Sequence, residues 1–255
     1  MTNMTVLHDA SKILWNKKRL RIVTRIFLLV TARWLAAVKL KKEANKRCSI
    51  KDYVDIAFNM FTASSFIFLS IRPVQVKEEI TELLKILARR KPKFLLEIGT
   101  ARGGTLFLFG RVSSLNAVII SADLPGGRFG GGYREWRASL YKSFAIRAQE
   151  MYLVREDSHT PSTLNIIEKI LKAHKLDFLF IDGDHTYDGV KKDFELYSKL
   201  VSKGGIIALH DIVPGLPEAV GGVPRFWDEI KRDFKYVEFV KNWKQGGAGI
   251  GVIYA

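Results

Sequence analysis

The sequence predicts an α/β fold built on a parallel sheet, and three observations carry that expectation. From Pro73 onward, short strand-like runs alternate with longer segments of helical periodicity. A glycine-rich turn joins the first of these runs to a helix, and each of five runs has an acid at or just past its end. A chain of 255 residues with 47% hydrophobic content is long and apolar enough to fill a sizeable core. The lone cysteine, Cys48, rules out an intrachain disulfide and a cysteine metal cage; this suits a reducing compartment and makes the cytoplasm the expected location.

Taken in order, residues 1–72 read as a basic, apolar helical extension. The first fifty residues hold twelve Lys or Arg against two acids, Asp9 and Glu43, and so carry +10 of the chain's +15. The stretch "KILWNKKRLRIVTRIFLLVTARWLAAVKLKK", residues 12–42, predicts a basic amphipathic helix with Ile22, Ile26, Leu29 and Val30 near one face. Arg25 and Arg33 break its apolar run, and no small-residue cleavage site follows, so neither a membrane span nor a signal peptide is expected. Two readings stay open: a helix lying peripherally on an anionic membrane surface, or one packed on the domain with a solvated basic face. The uncharged run "IAFNMFTASSFIFLSI" is shorter than a span and reads as a buried helix or pocket wall.

Residues 73–255 form the main domain. "PVQVKEEITELLKILARR" has helical periodicity, acids early and cations late, and Pro92 follows as a stop. The strand-like runs are "KFLLEI", "AVIISA", "MYLV", "DFLFI" and "GGIIAL"; "PSTLNIIEKILKAH" and "TYDGVKKDFELYSKLV" are helical segments between them. Such alternation implies right-handed crossovers, which place the carboxyl ends of the strands along one edge.

The acids at those ends are Glu97, Asp123, Asp157, Asp182 and Asp211. In an open α/β sheet the ligand crevice lies outside the carboxyl ends of the strands, and five acids there do not suit a polyphosphate. Some would equally serve as helix caps or turn formers. The opening turn points the same way. Its glycines are Gly99, Gly103 and Gly104, and Ala101 stands where a dinucleotide fingerprint needs the glycine that admits a pyrophosphate. Glu97 is expected beside the ligand, where it would repel a phosphate and tolerate a cation. S-adenosylmethionine carries a sulfonium and no phosphate, and fits this turn better than NAD.

The segments "LLEIGTARGGT", "SADLPGGRFGGGY", "REDSHTPST", "FLFIDGDHTYDGVKKDFELYSKLVSKGGIIALHDI" and "GVPRFWDEI" resemble the class I S-adenosylmethionine-dependent methyltransferases. Within them the similarity is to the small-molecule O-methyltransferase group that includes macrocin, rhamnosyl and catechol-type enzymes. The resemblance covers most of residues 73–255. It implies a doubly wound, Rossmann-like sheet of seven strands, with "YVEFV" and "AGIGVIYA" last and the final strand antiparallel. It also implies transfer of a methyl group from S-adenosylmethionine to a hydroxyl of a small molecule, sugar or glycolipid.

By the same resemblance, Glu97, Gly99 and Gly103 belong to the first cofactor motif, Asp123 holds the ribose hydroxyls, Asp157 and Ser158 read the adenine, and Gln75 in "IRPVQ" has a lesser cofactor role. Asp182 also borders the cofactor. Asp182 and Asp211 match two positions that hold magnesium in the metal-dependent members, but Ile212 stands where those enzymes have a carboxamide. Without a metal, His185 or His210 is the candidate general base. The glycine-rich "PGGRFGGGYREW", with Arg128, Tyr133, Arg134 and Trp136, reads as a lid over the acceptor. A nucleic-acid methyltransferase is disfavoured, because the charge sits in the extension and no recognition module accompanies it. A non-catalytic cofactor-binding fold that docks to a membrane or partner is the remaining alternative.

Overall fold

The computed structural model describes residues 19–24, 26–28, 30–32, 34–39, 42–43, 48–60, 69–127, 129 and 132–255. Seven strands form one sheet: β1 (Phe94–Ile98), β2 (Val118–Ala122), β3 (Glu150–Val154), β4 (Leu176–Ile181), β5 (Val201–His210), β6 (Lys235–Phe239) and β7 (Ile250–Tyr254). Their order is β3-β2-β1-β4-β5-β7-β6. The first five are parallel to one another, and β7 runs antiparallel between β5 and β6. Order reverses between β1 and β4, so the crevice lies where the ends of these two strands splay apart. The expected fold class, with its antiparallel last strand, is what the structure has. β5 starts earlier than "GGIIAL", because Val201 pairs with Leu176 before a register shift brings Ile206 opposite Phe178.

Alternation along the strands divides the core. Leu95, Ile119, Phe178, Phe180, Ile206 and Val252 face one layer of helices. Leu96, Ile98, Ile120, Leu179, Ile207 and Ile253 face the other. The first layer holds α1 (Ile50–Asn59), α2 (Lys77–Arg90) and α3 (Gly104–Val112). α1 starts in a capping box, Ser49 with Asp52, and buries Val54, Ala57 and Phe58. α2 buries Ile80, Leu83, Leu84 and Leu87 at helical spacing. All nine residues of α3 are buried. At Gly104 a Cβ would come within 2.2 Å of the Ile71 carbonyl oxygen, so only glycine lets the chain before α2 cross there. The opposite layer includes α5 (Pro161–Leu171), α6 (Tyr187–Tyr197) and α8 (Val223–Ile230); α4 (Ala138–Lys142) packs with the first layer and α7 (Pro217–Val220) precedes α8.

In the extension, "IAFNMFTASSFIFLSI" is only partly helical: Ile56–Asn59 end α1, Met60, Leu69 and Ile71 are buried, and residues 61–68 lie outside the described residues. The described residues within 19–39 are helical. Ala36 is buried, and Ala32 and Ala37 pack beside it on the core, whereas Leu20, Phe27 and Trp34 are 65–67% exposed. Small residues make this contact and several large apolar ones face outward. Arg25, Leu29 and Arg33 lie outside the described residues, as do Arg128 and two glycines of the proposed lid. Among the described residues, no helix is long and apolar enough to cross a membrane.

Candidate active site

The turn after β1 is shaped by its glycine and by an acid from the next strand. Gly99 has φ +87°, and a Cβ there would lie 1.9 Å from the Asp182 carbonyl oxygen, so this close pass between β1 and β4 requires glycine. Asp123 Oδ2 accepts hydrogen bonds from the backbone N–H of Thr100 at 2.6 Å and of Ala101 at 2.7 Å. Burial raises the Asp123 pKa, and these N–H groups oppose it.

The turn leads to a cavity of about 310 Å³ at the carboxyl edge of the sheet. Gly99, Asp123, Asp157, Ser158, Asp182, His185, His210 and Asp211 all line it, so the structure brings most of the expected site residues together. Glu156 and Asp184 add two further carboxylates, and among the described residues no Lys or Arg lines it.

Three expected cofactor residues lie behind this wall. Gly103, at φ +81°, leaves room for the Tyr141 ring, and Tyr141 Oη donates to the Ala101 carbonyl at 2.9 Å. Gln75 Nε2 donates to Asp182 Oδ2 at 2.6 Å, which joins it to the acidic cluster instead. Glu97 is 2% exposed and its carboxyl oxygens have no hydrogen-bond partner. Burial pushes it up to about 8, with Thr105 and Thr100 opposing. It is therefore protonated near neutral pH and repels nothing, which corrects the expectation drawn from sequence.

At the ends of β4 and β5 two carboxylates and two imidazoles interlock. His210 Nδ1 lies 3.0 Å from Asp182 Oδ1 and 3.3 Å from Asp211 Oδ2. His185 Nε2 lies 3.5 Å from Asp182 Oδ1, and its Nδ1 lies 3.4 Å from Asp211 Oδ2 and 2.5 Å from the Ala219 carbonyl. Asp211 has φ +63°, a left-handed conformation that aspartate tolerates, and its Oδ1 accepts from the Ala248 N–H at 2.9 Å. Burial opposes ionisation of Asp182, His185 and His210, but their partners outweigh it: Asp182 is held well below the usual carboxylate range, His185 is raised to about 9, and His210 is raised well above 6.5.

The geometry separates the two histidines. His210 has its Nδ1 taken up by both carboxylates and its Nε2 buried without a hydrogen-bond partner. His185 stacks on Phe129, with ring centroids 4.8 Å apart, and stays the candidate that faces the cavity. One ligand atom each from Asp182, His185 and Asp211 lie within 4.8 Å of one another. The third donor is thus His185, while Ile212 is buried in the core and offers none. Two carboxylates and an imidazole suit a divalent cation, and the nitrogen favours manganese or a similar ion over magnesium.

Sequence reasoning passed over His159. It lines the cavity, with Nε2 3.2 Å from the Gly189 carbonyl and 3.3 Å from Oδ1 of the fully buried Asp193. Hydrogen bonding to Asp193 raises its pKa. The signal available was its place in "DSHTP", between two expected site residues and a helix start. Asp157 Oδ1 accepts from the His159 N–H at 2.8 Å, and Thr160, not Ser158, caps α5.

Residues 96–212 match a family model described as "Methyltransferase domain". This segment is similar to methyltransferase domains. It spans β1 to the end of β5, the part that carries the turn and the acidic cluster. The methyltransferase fold is shared with the O-methyltransferase TomG from Streptomyces achromogenes, involved in tomaymycin synthesis and solved with S-adenosylmethionine, at TM-score 0.52 and 18% identity over 86% of this chain and 94% of that one. An O-methyltransferase from Bacillus cereus, solved with S-adenosylhomocysteine, gives TM-score 0.51 and 18% identity over 85% and 96%. CalS11, a TDP-rhamnose 3'-O-methyltransferase of calicheamicin biosynthesis, gives 0.51 and 14% over 80% and 92%. At these identities the likeness is one of fold. An uncharacterized protein of Acanthamoeba polyphaga mimivirus is 32% identical over 116 residues, 46% of this chain and 50% of that protein, so the match spans half of that relative's length.

Proposed function

We propose that the protein is an S-adenosylmethionine-dependent O-methyltransferase acting on a hydroxyl of a small molecule, sugar or glycolipid, with residues 73–255 as the catalytic unit and 1–72 as an accessory segment. The observation that carries this reading is the chemistry of the cavity wall: Asp123, Glu156, Asp157, Asp182, Asp184 and Asp211 line it, and no described Lys or Arg does. The imidazoles of His159, His185 and His210 offset part of this charge, but six carboxylates outnumber them, so a phosphate-bearing cofactor would meet net like charge there, whereas a sulfonium and an amino group meet opposite charge. The fold it shares with three O-methyltransferases supports the same conclusion.

Bound in this cavity, S-adenosylmethionine supplies a methyl group on a sulfonium sulfur, open to in-line displacement by an oxygen. The chain's own residues hold and align. Asp123 fixes the turn and has acceptor capacity left for a hydroxyl pair. Asp157 and Ser158 border the cavity where a polar ring edge would be read. Asp182, His185 and Asp211 would hold a divalent cation, whose charge makes a bound hydroxyl more acidic. His210 bridges the two acids and keeps them in place, and the Phe129 ring stacks on His185. Calorimetry with S-adenosylmethionine and NAD tests the cofactor, and labelled methyl transfer to a panel of phenolic, sugar and glycolipid hydroxyls tests the reaction. Binding of NAD alone would overturn the reading.

A further inference from the structure

Leu20, Val23, Phe27, Val30, Trp34 and Val38 recur at spacings of three and four, so they form one stripe along the N-terminal helix. They are 44–67% exposed, and the contact with the core is left to Ala32, Ala36 and Ala37. A helix packed on its own domain has the reverse pattern, with bulky residues inward. The charge around the stripe is of one sign. Arg19, Arg21 and Lys39 are described residues of this helix, Arg25, Arg33, Lys41 and Lys42 accompany them in the sequence, and no acid occurs between Ala10 and Lys42.

We infer that this helix docks in the surface of an anionic bilayer, with the stripe sunk among the acyl chains and the cations reaching the headgroups. Charge complementarity selects this occupant. A second copy of the helix would bring cation against cation along its whole length, with no acid to pair. Phe27 and Trp34 are residue types that settle at a membrane interface. Lacking a described helix fit to cross, the chain would lie on the membrane. The inference is independent of methyl transfer, so either can fail alone.

The test is co-sedimentation of the full chain with phosphatidylcholine vesicles, with and without phosphatidylglycerol, at low and high salt. Pelleting is expected with the anionic vesicles, weaker at high salt, and weak or absent with the neutral ones. The double variant Phe27→Ser, Trp34→Ser should partition roughly tenfold less or lower still, because two large apolar side chains no longer enter the lipid. Its thermal unfolding should match the wild type, since both residues are exposed. Equal or no pelleting on the two vesicle types, or a variant that pellets like the wild type, would overturn the inference. So would a solution dimer that the same substitutions dissolve in a chain that ignores lipid.

Discussion

Gln75 donates its side-chain N–H to Asp182 Oδ2 at 2.6 Å, tying the segment before α2 to the end of β4 across 107 residues of sequence. Asp182 Oδ1 faces His210 and His185, so Gln75 fixes the plane in which that carboxylate meets them. Gln75→Ala should lower methyl-transfer turnover about tenfold while S-adenosylmethionine affinity changes little, since a hydrogen bond to a charged group contributes about 1.5–3 kcal/mol. Gln75→Glu, which sets like charge beside Asp182, should do worse. Unchanged turnover in the alanine variant would dismiss this positioning role.

Asp123 should matter more to affinity than to turnover. Removing its carboxylate leaves the Thr100 and Ala101 N–H groups without their acceptor. Each loss costs about 1–3 kcal/mol, so Asp123→Ala should weaken S-adenosylmethionine binding roughly a hundredfold in calorimetry. Gly99→Ala should abolish binding, because the added methyl would collide with the backbone of Asp182. Wild-type affinity in either variant would mean that the cofactor binds elsewhere.

Chelation separates the cation from the cofactor. With Asp182, His185 and Asp211 as ligands, a chelator should remove nearly all turnover and leave S-adenosylmethionine binding near its starting value; manganese should restore activity at least as well as magnesium. Full activity after exhaustive chelation would dismiss the cation.

Glu97 predicts a pH dependence of stability. Its folded pKa is about 8 against an ordinary 4.5, so between these values the folded chain holds a proton that the unfolded chain has released. Stability from this group is full below about pH 4.5 and is lost as pH rises through about 8. Glu97→Gln keeps the neutral form throughout. Urea midpoints of the variant should therefore fall less than those of the wild type over that window; parallel curves would mean that Glu97 is already ionised in the fold.

The strands were legible in the sequence because each buried run alternates between two cores and is bounded by turn residues, and the acids past their ends marked the cavity edge. What escaped were relations between distant positions. Asp182 and His185 sit three residues apart and could be paired in advance, whereas Asp193 reaches His159 from α6, 34 residues on, and nothing in "GVKKDFELY" announces an inward acid. Glu97 was misread because its place before a glycine turn suggested exposure, and the pleat instead turns its side chain into the interior. Gln75 looked like a cofactor contact because only the folded chain brings it to Asp182.

The acid-rich wall of the cavity bears on the end of the catalytic cycle as well as its start. Once the methyl group has left, the sulfur is a neutral thioether, and the spent cofactor carries one positive charge fewer than the molecule that entered. On the proposed function, the carboxylates of Asp123, Asp182 and their neighbours would attract this product less than the charged donor. A cavity walled in this way favours exchange in the forward direction: it holds the charged donor and releases the product that the reaction has discharged.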